Sequence, residues 1–144
     1  MRITTNFKNS KMSIPSYVTI GSAGFDLQAN LEYPVTIYGG ERLLIPTGIT
    51  AAVPIGFEMQ IRPRSGLALK WGITVLNSPG TIDSDYRGDI GVILYNTSTD
   101  PFIVQPGDRI AQGVIGAVAI ATLLKVDSLD ETDRGSDGFG STGV

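Results

Sequence analysis

Apolar and polar residues alternate with a period of two along much of this chain. In Phe57–Arg62 the side chains of Phe57, Met59 and Ile61 fall on one face and those of Glu58, Gln60 and Arg62 on the other, the signature of a half-buried strand. Residues 43–45, 47–53, 90–95, 102–105 and 109–115 also read as strands. Turn signals separate them: Gly39-Gly40, Pro54-Ile55-Gly56, Ser78-Pro79-Gly80 and Pro106-Gly107. One stretch breaks the pattern. Residues 65–70 carry good helix formers behind Ser65, a residue suited to cap them, and are long enough for only a turn or two of helix. The longest apolar run, residues 114–124, falls short of the roughly 20 residues of a membrane span and is expected to be a buried strand. No internal repeat interrupts the chain. The prediction is a nearly all-β domain, a barrel or a double-sheet jelly roll.

Composition narrows the chemistry. The 144 residues amount to one domain, with a hydrophobic fraction of 42% and a charged fraction of 17% that suit a globular protein. Eighteen glycines and eight prolines are spread along the chain, as many short strands require. There is no cysteine and no histidine. Disulfides, a cysteine nucleophile, a Ser-His-Asp triad and any His/Cys zinc centre are therefore excluded. Catalysis would rest on carboxylates, hydroxyls, amides, arginines and backbone groups, with a hard ion such as Mg²⁺ if a metal takes part. A net charge of −3 argues against a nucleic-acid groove, which needs a basic footprint. With no signal-peptide pattern at its polar start and no membrane span, the chain reads as soluble and cytoplasmic, with no membrane partner.

Five patches combine glycine with polar or charged residues. AGFDL at 23–27 sets Asp26 beside a glycine near a strand start, where a turn aspartate and a contact to a metal's water shell are both readable. PRSGLA at 63–68 offers Arg64 as a fork for phosphate oxygens, a Ser65 hydroxyl, and Gly66 at a helix start where free N–H groups favour an anion. It is not a Walker-A loop. In NSPGTIDSDYRG at 77–88, Asp83 and Asp85 would share a face if the stretch is extended. Two adjacent carboxylates repel, which favours proton uptake by one and makes a general base readable, while two ordinary acids in a solvated turn are the plainer reading of Asp-x-Asp alone. GDRIAQ at 107–112 holds Asp108 and Arg109, which read most simply as a structural ion pair, and Gln112, an amide in an apolar strand that needs partners. Last, RGSDGFGSTG at 134–143 carries an arginine, hydroxyls and one phenylalanine among glycines. A frayed terminus is the plain reading of such a tail, but a lone Phe139 between glycines favours an arm that closes over a ligand.

In this order the five patches resemble the trimeric dUTPases, the deoxyuridine 5′-triphosphate nucleotidohydrolases, over nearly the whole chain. Two positions depart from the family pattern: Phe25 stands where Tyr is frequent, and Gly113 where Leu or Met is usual. The resemblance implies a jelly-roll-like β-barrel with one short helix over residues 1–126 and a flexible C-terminal arm over 127–144. It implies hydrolysis of dUTP to dUMP and pyrophosphate by water attacking the α-phosphorus, which keeps uracil out of DNA and supplies dUMP. Asp83 would be the base and Ser65 a second catalytic group. Arg64, Ser65, Gly66 and Gln112 would hold the phosphates, and Mg²⁺ would meet Asp26 through water. Asn77, Gly80, Thr81 and Ile82 would read the uracil edge, and Tyr86 would pack on deoxyribose. Thymine would need a steric wall, because failing to fill a methyl-sized hole discriminates by only about 10–200-fold. Arg134, Ser141 and Thr142 would reach the γ-phosphate, with Phe139 and Gly140 covering the uracil. The resemblance also implies a homotrimer whose sites are shared between subunits.

The nearest rival, dCTP deaminase, needs a glutamate base near the pyrimidine amine. The glutamates here are Glu32, Glu41, Glu58 and Glu131, none of them inside the base-reading patch. A non-catalytic binding protein on the same scaffold would have no use for Asp83, Arg64 and Phe139.

Overall fold

The computed structural model describes residues 2–7 and 14–138. Within them the chain runs through β1 (Thr4–Phe7), β2 (Gly24–Gln28), β3 (Val35–Ile37), β4 (Arg42–Pro46), β5 (Ile49–Ala52), β6 (Phe57–Arg62), α1 (Ser65–Trp71), β7 (Ile73–Val75), β8 (Gly80–Ile82), β9 (Gly91–Asn96), β10 (Phe102–Val104) and β11 (Arg109–Ala117). The pairings among these strands are antiparallel: β1 with β5, β10 with β3, a four-stranded sheet in the order β2-β11-β6-β8, and a three-stranded sheet in the order β4-β9-β7. The expected all-β architecture with one short helix is what forms.

The inward rows of these strands meet in a single core. Leu27, Ile37, Ile45, Met59, Ile73, Ile90, Leu94 and Ile110 are fully buried there. On β9 the alternation is complete, with Val92, Leu94 and Asn96 pointing in. A buried amide must be satisfied, and Asn96 donates to the carbonyls of Ile37 at 2.9 Å and Asp100 at 2.7 Å while accepting from the Ser98 backbone. Thr47 is likewise buried, its hydroxyl donating to the Ile90 carbonyl at 2.6 Å. It therefore ties the turn before β5, with Gly48 at φ 68°, rather than opening a strand at residue 47 as the pattern predicts.

Two further expectations are corrected. Ser65 is not the cap of α1 but its first residue. Extended Arg64 takes the cap position and makes no side-chain capping bond. The helix ends at Gly72, whose φ of 64° suits a left-handed C-cap and whose N–H donates to the Ala68 carbonyl. The apolar run at 114–124 is a strand only to Ala117. There β11 loses its partner, because Ala117 pairs with Phe57, the first residue of β6, and Val118 turns to the Gly56 carbonyl. From Val118 to the last described residue no strand forms, and Ile120, Leu123, Leu124 and Leu129 stand almost fully exposed. Among the described residues no helix is long and apolar enough to cross a membrane.

Candidate active site

Three of the five patches converge at one corner of the four-stranded sheet. Asp26 on β2 lies opposite Gln112 on β11, and Gln112 lies opposite Arg62 at the end of β6, from which Pro63 and Arg64 lead into α1. The Gln112 amide donates to the Pro63 carbonyl at 3.0 Å, so the polar residue inside the apolar strand is the tie between β11 and the helix entry. Gly24 leaves room for it: a Cβ there would lie 2.7 Å from the Gln112 Oε1. Arg64 is held by two groups, with Nε at 2.8 Å from the Asp26 carboxylate and Nη1 donating to the Arg109 carbonyl at 2.9 Å. Ser65 and Gly66 are exposed at the start of α1, where backbone N–H groups lack helical acceptors. The corner is thus a concentration of hydrogen-bond donors around one carboxylate.

The ion pair expected between Asp108 and Arg109 does not form. The Asp108 carboxylate accepts the Gln105 N–H at 2.8 Å, whereas Arg109 sends Nη1 to the second oxygen of Asp26 at 3.4 Å. A β-bulge is the cause. Arg109 opposes Gln28 but Ala111 opposes Leu27, so the pairing slips by one residue at Ile110, and Ile110 and Ala111 are both buried. In a regular strand Arg109 and Gln112, three apart, would face opposite sides. The bulge turns both toward Asp26.

The third patch lies elsewhere. β8 pairs with β6 through Ile61↔Gly80, Gln60↔Thr81 and Met59↔Ile82, which carries Asp83 to the Phe57 end of β6 while Arg64 follows its Arg62 end. Those ends are five residue steps apart, roughly 17 Å. Gly80 is buried, half-buried Ile82 packs on the core, and Thr81 is exposed. The exposed Asn77 side chain lies over Gly80, its amide nitrogen 3.3 Å from where a Cβ would stand. Beyond β8 the chain is not extended. Asp83 opens a turn closed by the Tyr86 N–H at 3.2 Å, so Asp83 and Asp85 do not share a strand face. They nevertheless line the same open hollow, together with Glu58 and Arg87. The Tyr86 ring lies across Gly88, where any side chain would collide with it, and its hydroxyl donates to the Asp89 carbonyl at 3.0 Å. Arg134 lies apart from both groups in a local turn, its Nε donating to the Asp137 carbonyl at 3.0 Å. Phe139, Gly140, Ser141 and Thr142 lie outside the described residues.

Residues 10–143 match the family model for dUTPase. The chain belongs to the dUTPase family. It is 61% identical over 132 residues to the deoxyuridine 5′-triphosphate nucleotidohydrolase of Chlamydia pneumoniae, a match covering 91% of each chain. To the protein of the same name from Caulobacter vibrioides it is 53% identical over 138 residues, covering 94% of this chain and 89% of that one. In fold it is similar to the dUTPase of Staphylococcus bacteriophage 80alpha solved with dUPNHPP, with a TM-score of 0.89, 22% identity and 99% of both chains covered. It also resembles a variant dUTPase of phage phi11 of S. aureus, described for its coordination of a structural Mg(II) ion, with a TM-score of 0.81, 18% identity, and 91% and 100% of the two chains covered. The all-β, jelly-roll-like architecture is shared with these dUTPases, and the chain is accordingly a hydrolase of this family.

Among the described residues no group of three acidic side chains could hold a metal by itself. The donor set fits a different arrangement. Mg²⁺ keeps most of its water and is commonly met by one or two carboxylates plus substrate phosphates. Asp26 offers one carboxylate here, and with Gln28 and Arg109 it lines a hollow of about 190 Å³, room enough for water.

Proposed function

We propose that this protein is a dUTP diphosphatase, converting dUTP to dUMP and pyrophosphate in the cytoplasm. The convergence of Asp26, Arg64 and Gln112 at one donor-rich corner, in a chain of the dUTPase family, carries the reading. Arg64, the Ser65 hydroxyl and N–H, Gly66 and Gln112 bind the triphosphate and stabilise the charge that builds on the leaving pyrophosphate. Asp26 would hold Mg²⁺ through water, and the ion would supply neutralisation of the phosphate charge. Asp83 accepts a proton from water as the water oxygen bonds to the α-phosphorus. The bond from that phosphorus to the α,β-bridging oxygen breaks, and its electron pair leaves with pyrophosphate. Asn77 and the backbone of Gly80, Thr81 and Ile82 recognise the uracil edge, Tyr86 excludes a 2′-hydroxyl, and the arm bearing Arg134, Phe139, Gly140, Ser141 and Thr142 closes over the ligand.

A homotrimer with shared sites is part of the same proposal. Two features support it. The base Asp83 and the phosphate corner lie at opposite ends of β6, and beyond β11 the residues Ile120, Leu123, Leu124 and Leu129 are exposed, with no described residue covering them. The test is pyrophosphate release from dUTP, dTTP, dCTP and UTP side by side with Mg²⁺. Rapid release from dUTP alone is expected. Ammonia from dCTP, or equal release from all four, would overturn the assignment.

A further inference from the structure

Asp26 is shared between two arginines, and the proposed reaction uses only one of them. Its first oxygen binds Arg64 at 2.8 Å, and its second faces Arg109 at 3.4 Å. The two arginines differ in setting. Arg64 leads into α1 beside the donors that would take phosphate, with only 27% of its side chain exposed. Arg109 opens β11, its side chain 57% exposed, and reaches Asp26 only because the bulge at Ile110 turns it outward. Arg109 also touches both members of the pair, since its carbonyl accepts from Arg64 Nη1 at 2.9 Å. A bulge that re-aims one side chain onto one carboxylate is a local departure from regular pairing, and such departures favour sites where a side chain must be placed.

We infer that Arg109 is a positioning residue that retains the Asp26 carboxylate when Arg64 turns toward a triphosphate. The inference rests on the dUTPase reading. A triphosphate competes with Asp26 for the Arg64 guanidinium, because phosphate oxygens present several anionic acceptors in fork geometry where Asp26 presents one oxygen to Nε. Once Arg64 moves, a carboxylate with no other partner would be free to rotate away from the position at which it meets hydrated Mg²⁺. Arg109 prevents this. It approaches the oxygen that Arg64 does not use, and its anchor in β11 does not depend on ligand. Its carbonyl in turn holds Arg64 ready before the ligand arrives.

The experiment measures binding of dUpNHpp to the full-length wild type, Arg109→Ala and Arg109→Lys by titration calorimetry, with and without Mg²⁺, alongside steady-state turnover of dUTP. Loss of an outer partner at a metal site costs about 10-fold in metal affinity, so Arg109→Ala should weaken the Mg²⁺-dependent part of binding by about that factor and binding without Mg²⁺ by less than about twofold. KM should rise with kcat little changed, because Asp83 is untouched, and Arg109→Lys should recover most of the loss as a point charge opposite the same oxygen. Equal weakening with and without Mg²⁺, or no weakening, overturns the role. Should Arg109→Ala fail to fold, Arg109→Gln, which keeps most of the length and loses the charge, is read by the same criteria. A wild type that releases no pyrophosphate from dUTP defeats the functional reading itself. An active wild type with an indistinguishable variant defeats only this inference.

Discussion

Phe25 and Gly113 sit opposite each other on β2 and β11, one step from the Asp26↔Gln112 pair. A Cβ on Gly113 would lie 2.6 Å from the Phe25 ring, so the glycine is the floor on which the ring rests. The ring also meets Tyr17 edge-on, with centroids 5.6 Å apart at 89°, fixing the segment before β2 against the sheet. In this chain the Phe25 ring therefore fills the space a side chain at 113 would take. Gly113→Leu should overpack the strand pair and destabilise the protein by about 1–3 kcal/mol. Adding Phe25→Ala should recover part of that loss, because the two side chains would contest one space. Denaturant unfolding of the two single variants and the double variant checks this, and strictly additive losses would refute the shared space.

At the scale of elements, alternation makes β6 and β9 legible, because a half-buried strand writes its two faces into its sequence. The bulge in β11 is not legible. It depends on how Ile110 is accommodated opposite Leu27 and Gln28, and without it Arg109 falls on the face away from Gln112. The turn at Asp83 is one of two readings the sequence leaves open, since Asp-x-Asp is compatible both with an extended strand and with a turn, and the Tyr86 N–H bond to the Asp83 carbonyl decides for the turn. The segment after β11 misleads because apolar composition reads as burial, yet no described residue covers Ile120, Leu123 or Leu124. That segment leads into the arm, and a chain ending at Asp133 tests the arm's role. Residues 118–138 lie outside every described strand pairing, so circular dichroism of the shortened chain should match the wild type. Losing Arg134 and the residues proposed to cover the ligand should lower dUTP turnover by about 100-fold or more. Full activity in the truncated protein would return the tail to a frayed end.

At the scale of the whole molecule, one strand length separates the two halves of the proposed chemistry. Asp83, after β8, lies at the Phe57 end of β6 and Arg64 follows its Arg62 end, and β6 is held on both sides by β11 and β8, so no hinge in the sheet brings them together within a chain. The proposed shared site would solve this by setting the corner at Asp26 and Arg64 of one subunit against the Asp83 turn of another, and light scattering should accordingly give the mass of a trimer. Mixing provides the sharper test. Asp83→Asn should bind dUTP and lose most turnover, and Arg64→Ala should lose the phosphate grip, so each variant alone is nearly inactive. Unfolded together in equal amounts and refolded, they would form mixed trimers in which some sites draw an intact Arg64 from one chain and an intact Asp83 from its neighbour. Random assembly places both intact residues in about one site in four. Recovery of about a quarter of wild-type pyrophosphate release is therefore expected from two inactive parents. If each chain completed its own site, every site would carry one defect whatever the mixture, and the refolded sample would stay as inactive as its parents.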